Sequence, residues 1–404
     1  MLPALPQRAR AVVLGVVGTV AAFFLFGGAQ GKRAAGAPID AVPRDAFLVA
    51  TVDLAELRRS PLYDVLFGKD APAGGPKADG RVFGARALGI GPLADACGFD
   101  PLSRVERLAI AVPEEGDKGE LGVAASVTVS RAELSTCTEN LAGRRGGKVA
   151  TKETGSFVVV EDSTGAGEAA RPRLAYGHGG LLVVGRGAWF DAMLAAADGK
   201  RPGVREAASH LAMRASLTGR DGWRAPTVLV SALLPRALRD RLKDEMGAEL
   251  SADGAEGGQG VMAGVLGVSG AGLALRAGGQ SIDAAVELVC DSDAGCAAVE
   301  ELILKKRLEW SKELMLRMVG LGPLLDSIEV KREGTRIRVT AGASADALAA
   351  TIDRLLRLQA RSERRDDTRD EPPALRAPAA PTASAGPRGE TIPTPRPAPQ
   401  PPSH

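Results

Sequence analysis

The sequence predicts an α+β fold with two similar halves, each made of antiparallel strands with helices packed on one face, after an N-terminal apolar helix. Short runs rich in Val, Leu and Ala alternate along the chain with segments of helical periodicity. Several of these runs are joined by glycine-containing turns such as Glu333-Gly334, which are typical of hairpins. The elements follow a similar order in residues 42–220 and 221–360, which indicates a duplication and an antiparallel sheet covered by helices.

The first half is expected to open with a strand at Phe47–Val52 and a helix that begins near Asp53. Asp53 and Glu56 have the spacing of a capping box, in which side chains satisfy the free amides of a helix start. Ser130 and Glu133 repeat this spacing and predict the start of another helix. The other predicted elements of this half are strands at 107–112, 121–129, 156–162 and 173–185 and a helix at 189–197.

The second half is expected to open with a strand at Val228–Ala232 and a helix that has Pro235 in its first turn, where the missing N–H costs nothing. The remaining predicted elements are strands at 261–277, 282–290 and 327–342 and helices at 296–319 and 345–358. On the longer helix five apolar residues recur at helical spacing, which predicts that one face is core: Val299, Ile303, Trp310, Leu314 and Met318.

An uncharged stretch, Ala11–Ala29, follows Arg8 and Arg10 and precedes everything that is predicted to fold. As a helix it would reach roughly 28 Å, close to the ~30 Å apolar thickness of a bilayer. An uncleaved signal anchor and a cleaved signal peptide both fit, because residues 27–29 are the small residues of a cleavage site. The residues expected within the membrane include Ala11, Val12, Val13, Leu14, Phe23, Phe24, Leu25 and Phe26.

Either interpretation of this stretch exports the rest of the chain. An anchor predicts a single-pass protein of the cytoplasmic (inner) membrane with a periplasmic domain, and a cleaved signal predicts a periplasmic protein. Residues 1–29 are therefore expected to be the signal or anchor, and residues 30–41 a linker. Residues 361–404 are expected to be a disordered tail, first charged and then rich in proline, which disfavours helices and central strands.

Composition argues against some classes of protein. The chain has 51 basic and 49 acidic residues, a net charge of +2, and only 3% aromatic residues. A nucleic-acid-binding protein would show a basic face and, for single strands, stacking aromatic side chains. We therefore expect no nucleic-acid partner, and a core built from Val, Leu, Ile and Ala.

The four cysteines fit an oxidising compartment, in which disulfides form and persist. None of them has the paired spacing of a zinc site. Four cysteines allow three pairings. Cys290 with Cys296 is favoured, since the residues between them join a strand end to a helix start through a short turn. That choice leaves Cys97 with Cys137, and free buried thiols are the alternative.

No familiar catalytic motif is present. The glycine-rich run around Ser269 narrowly misses the nucleophile elbow, because Ala271 replaces its second glycine, and a strand with a bulge or tight packing is the simpler explanation. Asp291 and Asp293 lack the further ligands of a calcium loop and are expected to cap the next helix. His210 is expected at a surface or capped position. We expect no enzyme activity, no cofactor and no metal site.

Three segments, at residues 42–66, 97–112 and 181–200, resemble a family of exported proteins from GC-rich bacteria of myxobacterial type. The resemblance covers roughly residues 42–358, and its motifs are structural rather than catalytic. It implies export, a duplicated α+β region after an N-terminal signal or lipobox, and no assigned activity. This chain departs from the family in having no cysteine, and so no lipobox, near its N-terminal segment.

These observations favour a membrane-tethered extracytoplasmic protein that has a binding or structural role. The membrane, through the N-terminal segment, and another envelope protein are the expected partners. An exported hydrolase that uses Ser269 or the Asp291 and Asp293 pair is one alternative, and a carrier of an apolar ligand is another.

We expect protease added to intact spheroplasts to digest the chain from about residue 30 onward, because both interpretations of Ala11–Ala29 put the later residues outside the cytoplasm. The mass of the N-terminal peptide then separates an anchor from a cleaved signal. Full protection of the chain until the spheroplasts are lysed would contradict export.

Overall fold

The structure is a computed structural model that describes the chain in eight ranges. These are residues 36–63, 91–114, 121–144, 146–162, 172–219, 226–241, 266–318 and 320–354. The expected membrane segment at Ala11–Ala29, the linker as far as residue 35 and the tail at 361–404 lie outside them. Within the described ranges, no helix is both long and apolar enough to cross a bilayer.

The described strands form one twelve-stranded sheet in which every neighbouring pair is antiparallel. The strands are β1 (Ala46–Asp53), β2 (Val105–Pro113), β3 (Gly122–Val127), β4 (Val149–Thr154), β5 (Phe157–Asp162), β6 (Arg173–Gly177), β7 (Leu181–Gly185), β8 (Val228–Leu233), β9 (Val268–Gly278), β10 (Ser281–Cys290), β11 (Glu329–Glu333) and β12 (Arg336–Ser344). Their order across the sheet is β11-β12-β10-β9-β8-β1-β2-β3-β7-β6-β5-β4. The α+β class is therefore confirmed.

The helices of the described ranges connect these strands. Their bounds are Leu54–Leu57, Gly91–Cys97, Arg131–Arg144, Gly187–Ala197, Ala208–Gly219, Asp293–Lys312, Leu314–Met318 and Gly322–Asp326, with further helical residues at 236–241 and 345–354. Short 3-10 turns lie at Pro38–Ala41, Pro101–Arg104 and Val204–Glu206. Helices begin at both predicted positions. Asp53 accepts from the Glu56 amide at 2.9 Å, but its own amide donates to the Thr227 carbonyl oxygen, so only one bond of that capping box forms. Ser130 and Glu133 exchange both bonds.

Near the centre of the sheet β1 pairs with β8, a pairing that we call the β1–β8 seam. It joins Leu48–Val52 to Val228–Ala232, with Ala50 opposite Val230. On one side of the seam β1, β2 and β3 are successive antiparallel neighbours, and on the other side β8, β9 and β10 are. Two segments that are far apart in sequence therefore meet in the middle of one continuous sheet.

Helices cover both faces of the sheet, so the expectation of helices on one face is wrong. Successive strand residues point to opposite faces. On the first face Val49, with the small residues of neighbouring strands, packs under the helix Gly187–Ala197 through Trp189 and Phe190. The residues beneath it include Ala109, Ala111, Ala124, Ala175 and Val183.

On the second face larger residues pack against other helices. Leu108 and Val123 contact a cluster that includes Leu54 and Leu134, and the helical residues at 345–354 join it through Ala345. The long helix Asp293–Lys312 also lies on this face, where it is anchored by Cys296 and Val299 against Leu288 and Ile337. Alternate residues along each strand therefore pack into two cores, one on each face of the sheet.

The predicted helix at 296–319 is shorter than expected and is only partly core. It ends at Lys312, where the extended backbone of Glu313 stops it, and a separate short helix follows at Leu314–Met318. Cys296 and Val299 are buried, but Trp310, Leu314 and Met318 are exposed. Helical spacing shows that an apolar stripe exists, but it does not show how much of that stripe a neighbouring element covers.

The two cysteine pairs favoured from the sequence lie at disulfide distance. Cys97 at the end of Gly91–Cys97 joins Cys137 of Arg131–Arg144, and Cys290 at the end of β10 joins Cys296 of the long helix. Each bond ties an element of the second face to its neighbour. The described residues contain no free cysteine.

We expect Gly272→Ala to destabilise the fold by roughly 1–3 kcal/mol, the usual cost of overpacking a core. A methyl group at Gly272 would lie 2.7 Å from Leu217 Cδ1 and 2.7 Å from Met213 Sδ, and both of these side chains are buried. The free energy of unfolding in denaturant measures the effect.

Gly342→Ala is the matched control in a strand, because the nearest atom to its added methyl group is an Asp283 carboxylate oxygen at 3.4 Å. An equal loss in the two variants would contradict tight helix packing at Gly272.

Candidate functional site

The helix Ala208–Gly219, which we call the His210 helix, covers the β1–β8 seam on the first face. Met213 and Leu217 are its buried anchors and pack with Leu229, Ala274 and Ala285. The His210 helix can approach β9 closely because β9 has glycine at the positions that these side chains contact, as at Gly272. The glycine-rich run around Ser269 therefore serves tight packing, as the simpler sequence explanation proposed.

His210 is fully buried and joins this helix to both strands of the seam. Its Nε2 lies 2.8 Å from the Ala46 carbonyl oxygen and its Nδ1 lies 2.8 Å from Ser231 Oγ. A carbonyl only accepts, so Nε2 carries the proton and the neutral ring accepts from the Ser231 hydroxyl at Nδ1. The expectation of a surface or capped histidine is wrong, because both ring nitrogens find partners inside the core.

Burial is the main cause that lowers the pKa of His210 from its ordinary value of 6.5. The bond to the Ala46 carbonyl raises the pKa, and the positive charge of Arg214 lowers it, so burial and Arg214 act together. Ser231 is also fully buried. The histidine and the serine thus form a closed structural pair that holds the helix in place.

Arg214 lies one turn after His210 and presents a half-buried guanidinium over the same seam. It donates to Thr51 Oγ1 at 2.6 Å and to the Leu229 carbonyl oxygen at 3.4 Å. Burial, followed by the charge of Arg205, lowers its pKa to about 10. Among the described residues, Arg214 makes no salt bridge with a carboxylate. A positive charge is held here with less water and with no carboxylate of the described residues at salt-bridge distance.

A pocket of about 530 Å³ opens in front of Arg214. Such a volume falls in the range of small-molecule sites, and most of the wall is apolar. Its apolar wall includes Ile39, Val52, Leu108, Val204, Leu211, Pro226 and Leu229. The arrangement can take a small molecule whose apolar part lies on this wall while an anionic group faces the guanidinium.

The other charged groups around the pocket are exposed or already bonded, and Arg214 is the half-buried cation among them. Arg205 is exposed and bonds to Asp40, and Asp53 is engaged with the Glu56 amide at 2.9 Å. Arg107 is an exposed arginine of the wall, and within the described ranges it forms no salt bridge. The positive charges of the pocket therefore outnumber the free negative ones.

The residues singled out for a hydrolase do not come together. Ser269 donates to the Val289 carbonyl oxygen at 3.2 Å within the sheet. Asp291 forms a salt bridge with Arg239, while Asp293 pairs with Arg332 at 2.6 Å. Neither aspartate caps the long helix, contrary to expectation.

The cap of the long helix is Ser292, whose hydroxyl accepts from the Gly295 amide at 3.1 Å. A short serine satisfies that amide, and the flanking carboxylates are drawn away by the arginines. No cluster of three or more His, Cys, Asp or Glu side chains suited to a metal ion occurs within the described ranges.

The pocket carries a sequence signal that periodicity analysis missed. Leu211, Arg214, Ala215 and Thr218 all line it, and their spacing of three, four and seven residues is that of one helix face. An arginine in the middle of such a face is typical of a solvent-exposed side. Only the position of β1 and β8 beneath the helix shows that the guanidinium is half-buried.

No protein-family model matches this sequence, and no curated protein matches it either. Among solved structures, the chain is similar to three crystal forms of TP0453. Form III gives 12% identity and a TM-score of 0.40 over 78% of this chain and 97% of that one. Form I has 14% identity and a TM-score of 0.39, and the match covers 79% of this chain and 97% of that one. Form IV has 13% identity and a TM-score of 0.39, and the match covers 78% of this chain and 96% of that one.

We expect the free energy of unfolding that depends on His210 to fall as the pH is lowered below about 6.5. The folded ring stays neutral because its pKa is lowered, whereas the unfolded ring gains a proton near 6.5. This stability is complete above that value and is lost as the pH falls through the folded pKa.

His210→Gln tests this, because an amide can donate to Ala46 and accept from Ser231 without titrating. The difference in free energy of unfolding between wild type and variant should shrink between pH 8 and pH 5, with His178→Gln in an exposed turn as the control for loss of an imidazole. A difference that stays constant with pH would refute a buried neutral ring.

Proposed function

We propose that this chain is a membrane-tethered extracytoplasmic binding protein that holds a small anionic ligand in the pocket in front of Arg214. The observation that carries the proposal is the half-buried guanidinium, which has no carboxylate partner among the described residues and faces a mainly apolar pocket. Burial of a charge without a counter-charge costs stability, so its retention favours a ligand that supplies the negative charge.

The wall of the pocket supports a ligand that is partly apolar. Leu108 is a buried residue of the lining and Leu211 is one of the exposed large apolar side chains, so a ligand would cover exposed apolar surface. Guanidinium groups bind carboxylates and phosphates through paired hydrogen bonds. The proposal thus combines the binding role with the carrier of an apolar ligand that the sequence left as an alternative.

Export and tethering support the same function, and they rest on the sequence. The stretch Ala11–Ala29 has the length and composition of a signal anchor, and the four cysteines fit an oxidising compartment. We place the protein at the periplasmic side of the inner membrane, or free in the periplasm if the signal is cleaved. Another envelope protein stays a predicted partner, and absence of enzyme activity stays a prediction.

The two-halves organisation and membership of the myxobacterial-type family also remain predictions. The meanders β1-β2-β3 and β8-β9-β10 on either side of the seam support a duplication. The closing helices differ, however. The helix Gly187–Ala197 packs on the first face, whereas the helical residues at 345–354 pack on the second. A duplication would therefore have to include a later change in the position of this helix.

We expect the full chain to bind laurate, a probe with one carboxylate and an apolar tail, and to bind dodecanol much more weakly. Arg214→Gln should weaken laurate binding by about 30-fold or more, since removal of one partner of a desolvated charge pair costs about 2 kcal/mol or more. Isothermal titration calorimetry of the full chain in nanodiscs, with empty nanodiscs as the reference for partition of the probes into lipid, measures both.

Arg186→Gln is the matched control, because it removes an exposed arginine outside the pocket.

Stability adds a second readout: Arg214→Leu should unfold at the same or higher denaturant concentration, since it removes an uncompensated charge. Equal affinity for laurate in wild type and Arg214→Gln would sink the proposal.

A further inference from the structure

Exposed large apolar side chains are concentrated in one segment of the described chain. Six such side chains are exposed, and five of them lie between residues 304 and 318, which we call the apolar projection. These five are Leu304, Leu308, Trp310, Leu314 and Met318, with exposures that reach 70% at Leu314 and 62% at Met318. Single exposed apolar residues are ordinary, but this concentration in one segment favours an interaction surface.

The projection is a helix end followed by a break and a short helix. The long helix ends at Lys312, Glu313 is extended, and Leu314–Met318 continues the chain. Arg317 braces the turn by donating to the Ser311 carbonyl oxygen at 2.6 Å and to Asp326 at 2.9 Å. The exposed apolar side chains on both sides of the break are thus held in a defined arrangement.

Basic side chains are interleaved with the apolar ones. Lys305, Lys306, Arg307, Lys312 and Arg317 lie in the projection, against Glu309 and Glu313. Lys306 is paired with Glu309 at 2.7 Å. Lys305 and Lys312 form no salt bridge within the described ranges, so two cations stand beside the exposed leucines and the tryptophan.

We propose that the apolar projection docks on the surface of an anionic lipid bilayer and lies in the interface without crossing it. Leu and Met side chains would enter the acyl boundary, Trp310 would lie at the level of the head groups, and the lysines would extend to lipid phosphates. This is independent of the ligand proposed for Arg214, because the pocket and the projection share no residue.

The composition of the projection favours a lipid surface over a second copy or another protein. The centre of a protein interface is depleted in lysine, whereas here a basic residue adjoins or nearly adjoins each exposed apolar one. Helices that lie at membrane surfaces combine lysine and arginine with Leu and Trp in this way. The charges of Lys305 and Lys312 would make binding to an anionic bilayer about tenfold or more tighter than binding to a neutral bilayer.

The test uses the full chain in nanodiscs, because its N-terminal segment would confound a simple vesicle-binding assay. Discs are made from phosphatidylcholine alone or from equal parts phosphatidylcholine and phosphatidylglycerol, with brominated acyl chains that quench nearby tryptophan. The difference in quenching between wild type and Trp310→Phe isolates Trp310. We expect strong quenching of Trp310 with phosphatidylglycerol and several-fold weaker quenching without it.

Leu308→Glu with Leu314→Glu should abolish that quenching, and both side chains are exposed, so the fold loses no buried contact. Thr151→Glu with Thr154→Glu on exposed β4 adds the same charge elsewhere and should leave quenching intact. Unquenched Trp310 in either lipid would overturn the proposal. Protection of Trp310 from aqueous iodide in the absence of anionic lipid would overturn it too. If that protection increases with protein concentration, a second copy covers the projection. If it is independent of protein concentration, the chain's own tail covers it.

Discussion

The attachment of one helix across the central seam of the sheet is the constraint on which the rest of the structure depends. His210 bonds to the Ala46 carbonyl, 164 residues away, and to Ser231 in the neighbouring strand. No backbone ladder fixes the position of a helix over a sheet, so side chains must do it. A buried, neutral imidazole with both nitrogens satisfied does so with directionality that apolar contacts lack.

That attachment explains how a charge can be held where the proposed ligand would need it. With His210 and the buried Met213 in place, the next turn has to present Arg214 to Thr51 and Leu229. The guanidinium cannot swing to solvent without giving up these bonds, and burial lowers its pKa to about 10, so it stays charged at neutral pH. Under the proposed function, stability and binding oppose each other at this residue, as they commonly do at binding sites.

Local features were predictable from the sequence, and long-range ones were not. The strands β1 and β8, the capping at Asp53 and Ser130, and the turn between Cys290 and Cys296 depend on residues close in sequence. The burial of His210 and Arg214 depends on partners that are distant in sequence. The local helical pattern of Ala and Leu around these two residues does not indicate those partners. The exposure of Trp310 is missed for a related reason: periodicity shows an apolar stripe but not which neighbour covers it.

The most direct test of an anchored helix that offers an unpaired cation is to determine which small molecule remains bound to the chain when it is extracted from the cell. Native mass spectrometry of the full chain, extracted gently from its own membranes, measures this. The wild type should retain one small acidic molecule per chain, which Arg214→Gln should lack while remaining folded. The same bound molecule at the same occupancy in both proteins would contradict the role given to Arg214.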